Sequence, residues 1–584
     1  MNSASLVTLH STRRISVQRF RSILLIAVCV SVGSTLHADV LAKRELLWNR
    51  CHAKLSSSPP ANHAGRYFLP GAQFQSDDAS TQKLATAYAD KLIDLAKSSA
   101  SDNPSAAYRL LHEAAYFGED NIADKIVNSK KTVEPKAKLA THPHPRLKWR
   151  RREYFRVTSE HYQVVTRDEQ AGVDIARRLE TLYAVWRQVF LECWSDSTKL
   201  ESAMERGKTL VPHSRQLHRV VLFSNQQEYT AYLQKTQPRI GITKGFYDPL
   251  ARTSYFFAGE QSNHATQLHE ATHQLFQEVQ SASERLKMSQ NFWIIEGIAM
   301  YMESLQHHGQ TATIGGYGAN RLQFARYRRL QEDFYIPLQE LVEYGRTQLQ
   351  QDSQIRQIYS QSAGLTHFLM DGEGAKYRDG LIRYLRTIYA GRDRIDTLTE
   401  SLDTGLAELD QQYIRYLHVT DDDMASSAMP KDRLRSLCLG HTSVSNAGLR
   451  SLPSQNKLEW LDLAGLRIER TSLSFLDSAT SLRQVSFDQC SNIGDDTVQL
   501  LAKNPQLDEL DLSGTAVTDQ GLKHLAGHQA LATLWLDGTK ISDASVPVLA
   551  TMTSLRTLSC NRTMLSEKGL ENLRKKLPGL EVSE

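Results

Sequence analysis

Leu507-Asp508-Glu509-Leu510-Asp511-Leu512-Ser513-Gly514-Thr515 decides how the last third of this chain folds, because five other stretches repeat it. Leu434, Leu458, Leu482, Leu507, Leu531 and Leu555 open units spaced 24, 24, 25, 24 and 24 residues apart. Three and five positions after each come apolar pairs: Leu437/Leu439, Leu461/Leu463, Val485/Phe487, Leu510/Leu512, Leu534/Leu536 and Leu558/Cys560. Alternation of this kind is the period of a strand with one buried face. Later in each unit a second pair, such as Leu449/Leu452 or Leu522/Leu525, has the spacing of a helix packed behind the strand.

Six units in register form a leucine-rich repeat, which predicts a stacked α/β solenoid over 433–584. Residues alternating with the inward leucines face the concave side. Trp460, Asp462, Glu509, Asp511 and Trp535 are therefore candidate binding residues for a basic protein or a glycan. Asn561-Arg562-Thr563 matches a glycosylation sequon but lies in a repeat turn.

Upstream of the repeats the pattern is of strands, then helices. Tyr162–Val165 and His218–Phe223 read as strands, 171–189 as an amphipathic helix, and Gly245–Asp248 with Thr253–Phe257 as a hairpin. Helices dominate from about Ser262 to Leu417, an α+β order. Residues 39–145 read as a helical segment resembling a single tetratricopeptide-like hairpin, and Lys130–Pro145 as a linker. The basic run Arg146–Arg152 reads as a solvated lead-in to a strand. The expected organisation is 1–38 signal peptide, 39–145 helical segment and linker, 146–420 catalytic-type domain, 421–432 linker and 433–584 repeats.

The signal reading rests on Arg13, Arg14, Arg19 and Arg21 ahead of an apolar run from Ile23 to Val32 and small residues up to Ala38. It predicts export to the periplasm, cell surface or medium, with an uncleaved anchor as the alternative and no membrane span once it is removed. A net charge of +4 over 584 residues argues against a dedicated nucleic-acid binder. Cys51, Cys193, Cys438, Cys490 and Cys560 form no C-x-x-C; a Cys51–Cys193 bridge and buried thiols both remain open.

The chemistry lies in His269-Glu270-Ala271-Thr272-His273. On a helix, positions i and i+4 lie on one face, so both imidazoles reach one ion and Glu270 sits beside water at that ion. Trp293-Ile294-Ile295-Glu296-Gly297-Ile298-Ala299-Met300-Tyr301 follows, with a glutamate embedded in an apolar helix, a costly placement unless it is paired or bound to metal. His269, His273 and Glu296 would leave a fourth zinc position open, as hydrolysis requires.

These two motifs resemble the gluzincin metallopeptidases, in particular the peptidase MA-like group of bacterial exported proteins, over roughly Tyr154 to Leu417. The resemblance implies zinc held by His269, His273 and Glu296, with Glu270 as general base and a peptide or protein as substrate. It makes Tyr359 the first choice of transition-state donor, ahead of Tyr301 and His367. Tyr247, in the hairpin, would offer an edge strand to an extended peptide. Glu303 reads as a solvated helix position, with a hydrogen bond behind a ligand histidine as the alternative. The competing function is a non-catalytic repeat scaffold carrying an inactive peptidase-like domain.

Overall fold

A computed structural model describes residues 36–55, 66–118, 121–127, 134–211, 216–238, 240–259, 264–279, 288–425 and 434–583. The signal read at 1–38 lies outside the described residues except for its last three, which begin the helix Leu36–Leu55. Among the described residues no helix is long and apolar enough to cross a membrane. The chain is a multidomain α/β protein whose described residues form many helices and three sheets.

One apolar core runs from Val40 to Leu417 and a second from Val419 to Leu580. The N-terminal helices therefore share their core with the region expected to be catalytic. Helix Ala79–Ser99 starts at Asp78, whose carboxylate accepts the N–H groups of Ser80 and Thr81. Helix Pro104–Phe117 starts at Asn103 with proline at its first position, and its small side chains let it sink into the core. The buried Glu113 carboxylate joins the two, accepting from the Arg44 guanidinium at 2.6 Å and the Tyr88 hydroxyl at 2.8 Å. Strand Arg66–Phe68 pairs antiparallel with Thr311–Thr313, tying this segment to chain more than two hundred residues on.

The largest sheet of this half has six strands, in the spatial order Lys136–Leu139, Phe155–Thr158, Tyr162–Thr166, His218–Phe223, Thr253–Phe257 and Phe246–Asp248. One expectation is corrected here. The stretch read as a linker, 130–145, supplies the outer strand at 136–139, paired with Phe155–Thr158. In the basic run 146–152 the arginines and Lys148 are exposed, as a solvated lead-in to strand Phe155–Thr158 requires, while Trp149 within it is buried with its indole N–H on Glu228 at 2.9 Å. At the opposite edge, Phe246–Asp248 is the outermost strand and lies beside helix His264–Val279. No disulfide joins Cys51 to Cys193 among the described residues.

Each repeat contributes one strand to a seven-stranded parallel sheet, in which Leu437, Leu461, Val485, Leu510, Leu534 and Leu558 stand side by side in register. All six are buried. Successive units are also stitched by aspartates: Asp495, Asp519 and Asp543 each accept a backbone N–H and a hydroxyl from Thr518, Ser542 and Ser566 of the following unit. Asp421 does the same for Ser445. Residues 421–425, read as linker, are thus the helix Asp421–Ala425 of a capping turn that adds Met424 to the repeat core; the rest of that linker lies outside the described residues.

Helix Asn320–Leu330 joins the two halves. The Cys438 N–H donates to Gln323 Oε1 at 2.7 Å, and Trp460 packs on Phe324 and Tyr327 with ring centroids 4.8 and 5.4 Å apart.

Candidate metal centre

His269 and His273 project from one face of helix His264–Val279. Their Nε2 atoms are 3.2 Å apart. Helix Phe292–Met302 brings Glu296 Oε2 to 3.3 Å from the first and 3.9 Å from the second. Atoms held about 2.0–2.1 Å from one tetrahedral centre lie roughly 3.3 Å apart. The three side chains are only 11–15% exposed, and they form the one group with metal-ligand geometry among the described residues.

Glu296 is aimed by the packing of its own helix, whose other residues are almost all buried. Gly297 makes this possible. A Cβ there would lie 2.3 Å from Thr366 Oγ1 and 2.9 Å from the Ser362 carbonyl oxygen, both on helix Ile355–Asp371. The glycine of the E-G-x-A element is therefore a contact point between helices.

Glu303 overturns the solvated reading. Its Oε1 is 2.9 Å from His269 Nδ1, and both its oxygens accept from Arg321, at 2.7 and 2.9 Å. A carboxylate behind the distal nitrogen fixes a ligand imidazole's orientation and leaves Nε2 for the metal. Arg321 had no motif to announce it.

Electrostatically the site attracts a cation. Burial opposes charge on His269, but Glu296 and Glu303 outweigh it and raise its pKa to about 10. Burial pushes His273 down to about 4, the Glu296 carboxylate partly opposing. The Glu303 carboxyl is held at about 2 despite burial, by His269 and Arg321. Burial raises Glu270, whose Oε2 accepts the Tyr247 N–H at 2.9 Å. A general base needs a raised carboxyl pKa of this kind.

Tyr359 lines the same cleft, a cavity of about 710 Å³ containing the histidines, Glu270 and Glu296. Burial and the charges of Glu296 and Glu270 push its hydroxyl far up, so it stays a proton donor. Tyr301 and His367 do not line that cleft: the Tyr301 hydroxyl donates to Asp371 at 2.9 Å, with buried His367 packed on its ring. Tyr247 contributes its backbone, because its ring is buried with the hydroxyl 3.4 Å from Glu278.

On the repeats the structure separates the expected binding residues. Trp460 is occupied by Phe324 and Tyr327, and Asp462 is buried, accepting from the Cys438 thiol at 3.0 Å and the Ala464 N–H at 3.1 Å. Asp462 is thus buried among repeat residues, whereas Trp460 is half-exposed, with one side covered by helix Asn320–Leu330. Glu509, Asp511 and Trp535 remain half-exposed on adjacent strands, Asp511 beside Trp535. Burial, aided by Asp488 and Asp537, raises the Asp511 carboxyl to about 6.

Residues 263–391 match a family model described as a protein of unknown function (DUF1570), a span that includes His269, Glu270, His273, Glu296, Glu303 and Tyr359. No curated protein matches the chain. Among solved structures, a leucine-rich repeat protein of Leptospira interrogans is similar at 16% identity over 26% of this chain, with a TM-score of 0.18. The match spans 55% of that protein.

Proposed function

We propose that this chain is an exported zinc metallopeptidase of the gluzincin, peptidase MA-like type, with a leucine-rich-repeat solenoid that docks a partner or substrate. The observation that carries this reading is the convergence of His269 Nε2, His273 Nε2 and Glu296 Oε2 at 3.2–3.9 Å, with Glu270 in the same cleft. Zinc, when bound, supplies a Lewis acid that polarises a carbonyl and acidifies water.

The chain's own residues supply the rest. Glu270, raised by burial and held by the Tyr247 N–H, takes a proton from the attacking water. Tyr359 donates its hydroxyl proton as a hydrogen bond to the oxygen on which negative charge builds. The outer edge of Phe246–Asp248 pairs with an extended peptide through backbone groups, lending affinity with little side-chain selectivity.

Metal analysis of the purified mature protein tests the reading. About one zinc per chain is expected, with occupancy collapsing in His269→Ala. Peptide turnover is expected to fall by at least about a thousandfold in Glu270→Gln. Zinc without turnover would favour the inactive scaffold, and no zinc would reject both the cofactor and the mechanism.

A further inference from the structure

The cleft around the candidate metal holds two guanidinium groups, and among the described residues only one has a carboxylate partner. Arg321 is paired with Glu303 through both oxygens. Arg346, the first residue of helix Arg346–Gln351, lines the same cleft and is exposed. Its backbone N–H is committed to the Met288 carbonyl at 2.8 Å, which fixes where the side chain starts. Among the described residues its guanidinium meets two neutral atoms, Gln350 Oε1 at 3.3 Å and Met288 Sδ at 3.5 Å. Both are at the weak end of hydrogen-bond distance.

Charge accounting isolates this group further. With zinc bound, its two charges are offset by Glu270 and Glu296, while Arg321 is offset by Glu303. Asp248, the other carboxylate lining the cleft, is turned into its own hairpin, accepting the N–H groups of Leu250 and Ala251 at 2.9 and 3.0 Å. The Arg346 charge nevertheless reaches the site, opposing protonation of His273 and favouring the charged form of Glu296.

We infer that Arg346 is a specificity residue that holds a carboxylate of the bound peptide, either an acidic side chain or the free C-terminus. The inference rests on the peptidase reading of the cleft. A planar guanidinium with unfilled donors matches a carboxylate bidentately, while a neutral residue at that subsite leaves the donors to water. Among the described residues nothing competes for it except a glutamine and a thioether.

The test uses full-length mature Glu270→Gln protein loaded with zinc, which binds without cleaving. Fluorescein-labelled, C-terminally amidated octapeptides carry one Asp walked through the positions, each with an Asn control, and one neutral peptide is compared as free acid and as amide. At least one carboxylate-bearing peptide is expected to bind about tenfold tighter than its neutral partner. The Asp series and the free-acid pair tell the two carboxylate sources apart. Arg346→Gln should abolish the difference, and Arg346→Glu should shift preference to Lys at that position. The inference is overturned if the paired peptides bind alike, if no peptide binds, or if discrimination survives in Arg346→Gln. Because Arg346 is exposed, both variants should keep the parental melting temperature. Parallel turnover by the parent protein separates the two readings. Discrimination without hydrolysis rejects the peptidase alone, and hydrolysis without discrimination rejects Arg346 alone.

Discussion

Replacing Glu303 with alanine should weaken zinc binding while leaving the apoprotein folded. Glu303 makes two kinds of contact: one oxygen 2.9 Å from His269 Nδ1, and a two-pronged pair with Arg321. Losing the first frees the imidazole to rotate and removes the carboxylate that makes Nε2 a better donor. Carboxylates placed this way are worth roughly 10–100-fold in metal affinity, or about 1.4–2.7 kcal/mol. Losing the second costs less, because the Arg321 side chain is 43% exposed and water can take its donors. The apoprotein loses stability as well, by about 1–3 kcal/mol, because Glu303 is buried and pairs with His269 as well as Arg321, but it should stay folded, so that the zinc affinity of the folded molecules can be compared. Glu303→Gln, which still offers an oxygen to Nδ1, should fall between parent and alanine variant. Arg321→Gln, which leaves the carboxylate in place, should cost only a fewfold. Competition against a zinc chelator gives the affinities, and melting of the metal-free proteins gives the stabilities. Parental zinc affinity in Glu303→Ala would refute the reasoning. So would an apoprotein so destabilised that unfolding alone accounts for the lost affinity.

The other expectations test packing and charge. Gly297→Ala would place a Cβ 2.3 Å from Thr366 Oγ1 and 2.9 Å from the Ser362 carbonyl; it should cost about 1–3 kcal/mol and most of the zinc occupancy, with Thr366→Ala restoring only part because the backbone contact remains. Asp511 has its folded-state pKa raised from 3.8 to about 6, so the folded protein holds that proton more tightly and loses stability as pH climbs through this range. Asp511→Asn should accordingly raise the stability of the repeats at pH 7.5 by about 1–3 kcal/mol and change little at pH 4, as urea melts at the two pH values would show. Trp460→Ala strips the ring packed on Phe324 and Tyr327 and should loosen the repeats from helix 320–330 by about 1–3 kcal/mol, seen as separated transitions in scanning calorimetry. A single unchanged transition would reject that contact as the joint.

What the sequence discloses depends on how local the cause is. The 24-residue period is local, and the strands fall where it puts them, with Leu437, Leu461, Val485 and Leu510 side by side. The histidine pair and Glu296 were legible because a four-residue spacing and a charge inside an apolar helix each imply a partner. The partners of Trp460 were not legible, because alternation assigns a side chain to a sheet face and cannot say what packs on one side of it. Its cover is a helix more than a hundred residues upstream. Glu303 was misread for the same reason: Arg321 returns to it only after the strand pair Gln306–His308 and Thr311–Thr313 turns the chain. The outer strand 136–139 escaped notice because it is mostly exposed and has a partner on one side only, so polar, lysine-rich residues suit it. Nothing local marked the N-terminal helices as sharing a core with the metal centre; that follows from Phe68, Leu111 and Trp186 being buried together.

Helix Asn320–Leu330 gives the two halves a mechanical relation. Arg321 on this helix holds Glu303, which holds His269. Two residues further on, Gln323 receives the Cys438 N–H of the first repeat strand, and Phe324 and Tyr327 carry Trp460 of the second. Tyr317, just ahead of the helix, donates to Asp423 of the capping turn at 3.0 Å. A rotation of this helix by a fraction of a turn would break the repeat contacts and withdraw Arg321 together, because a helix transmits rotation along its axis as a nearly rigid body. The helix that carries Arg321 therefore touches both the candidate metal centre and the repeats, and on the proposed reading this would constrain where a partner docks. The first two strands contact the helix, which covers one side of half-exposed Trp460, whereas Glu509, Asp511 and Trp535 are half-exposed on later strands. A ligand confined to those later strands leaves the helix contact in place. One that reaches the covered side of Trp460 would displace Phe324 and Tyr327, which lie on the helix that carries Arg321.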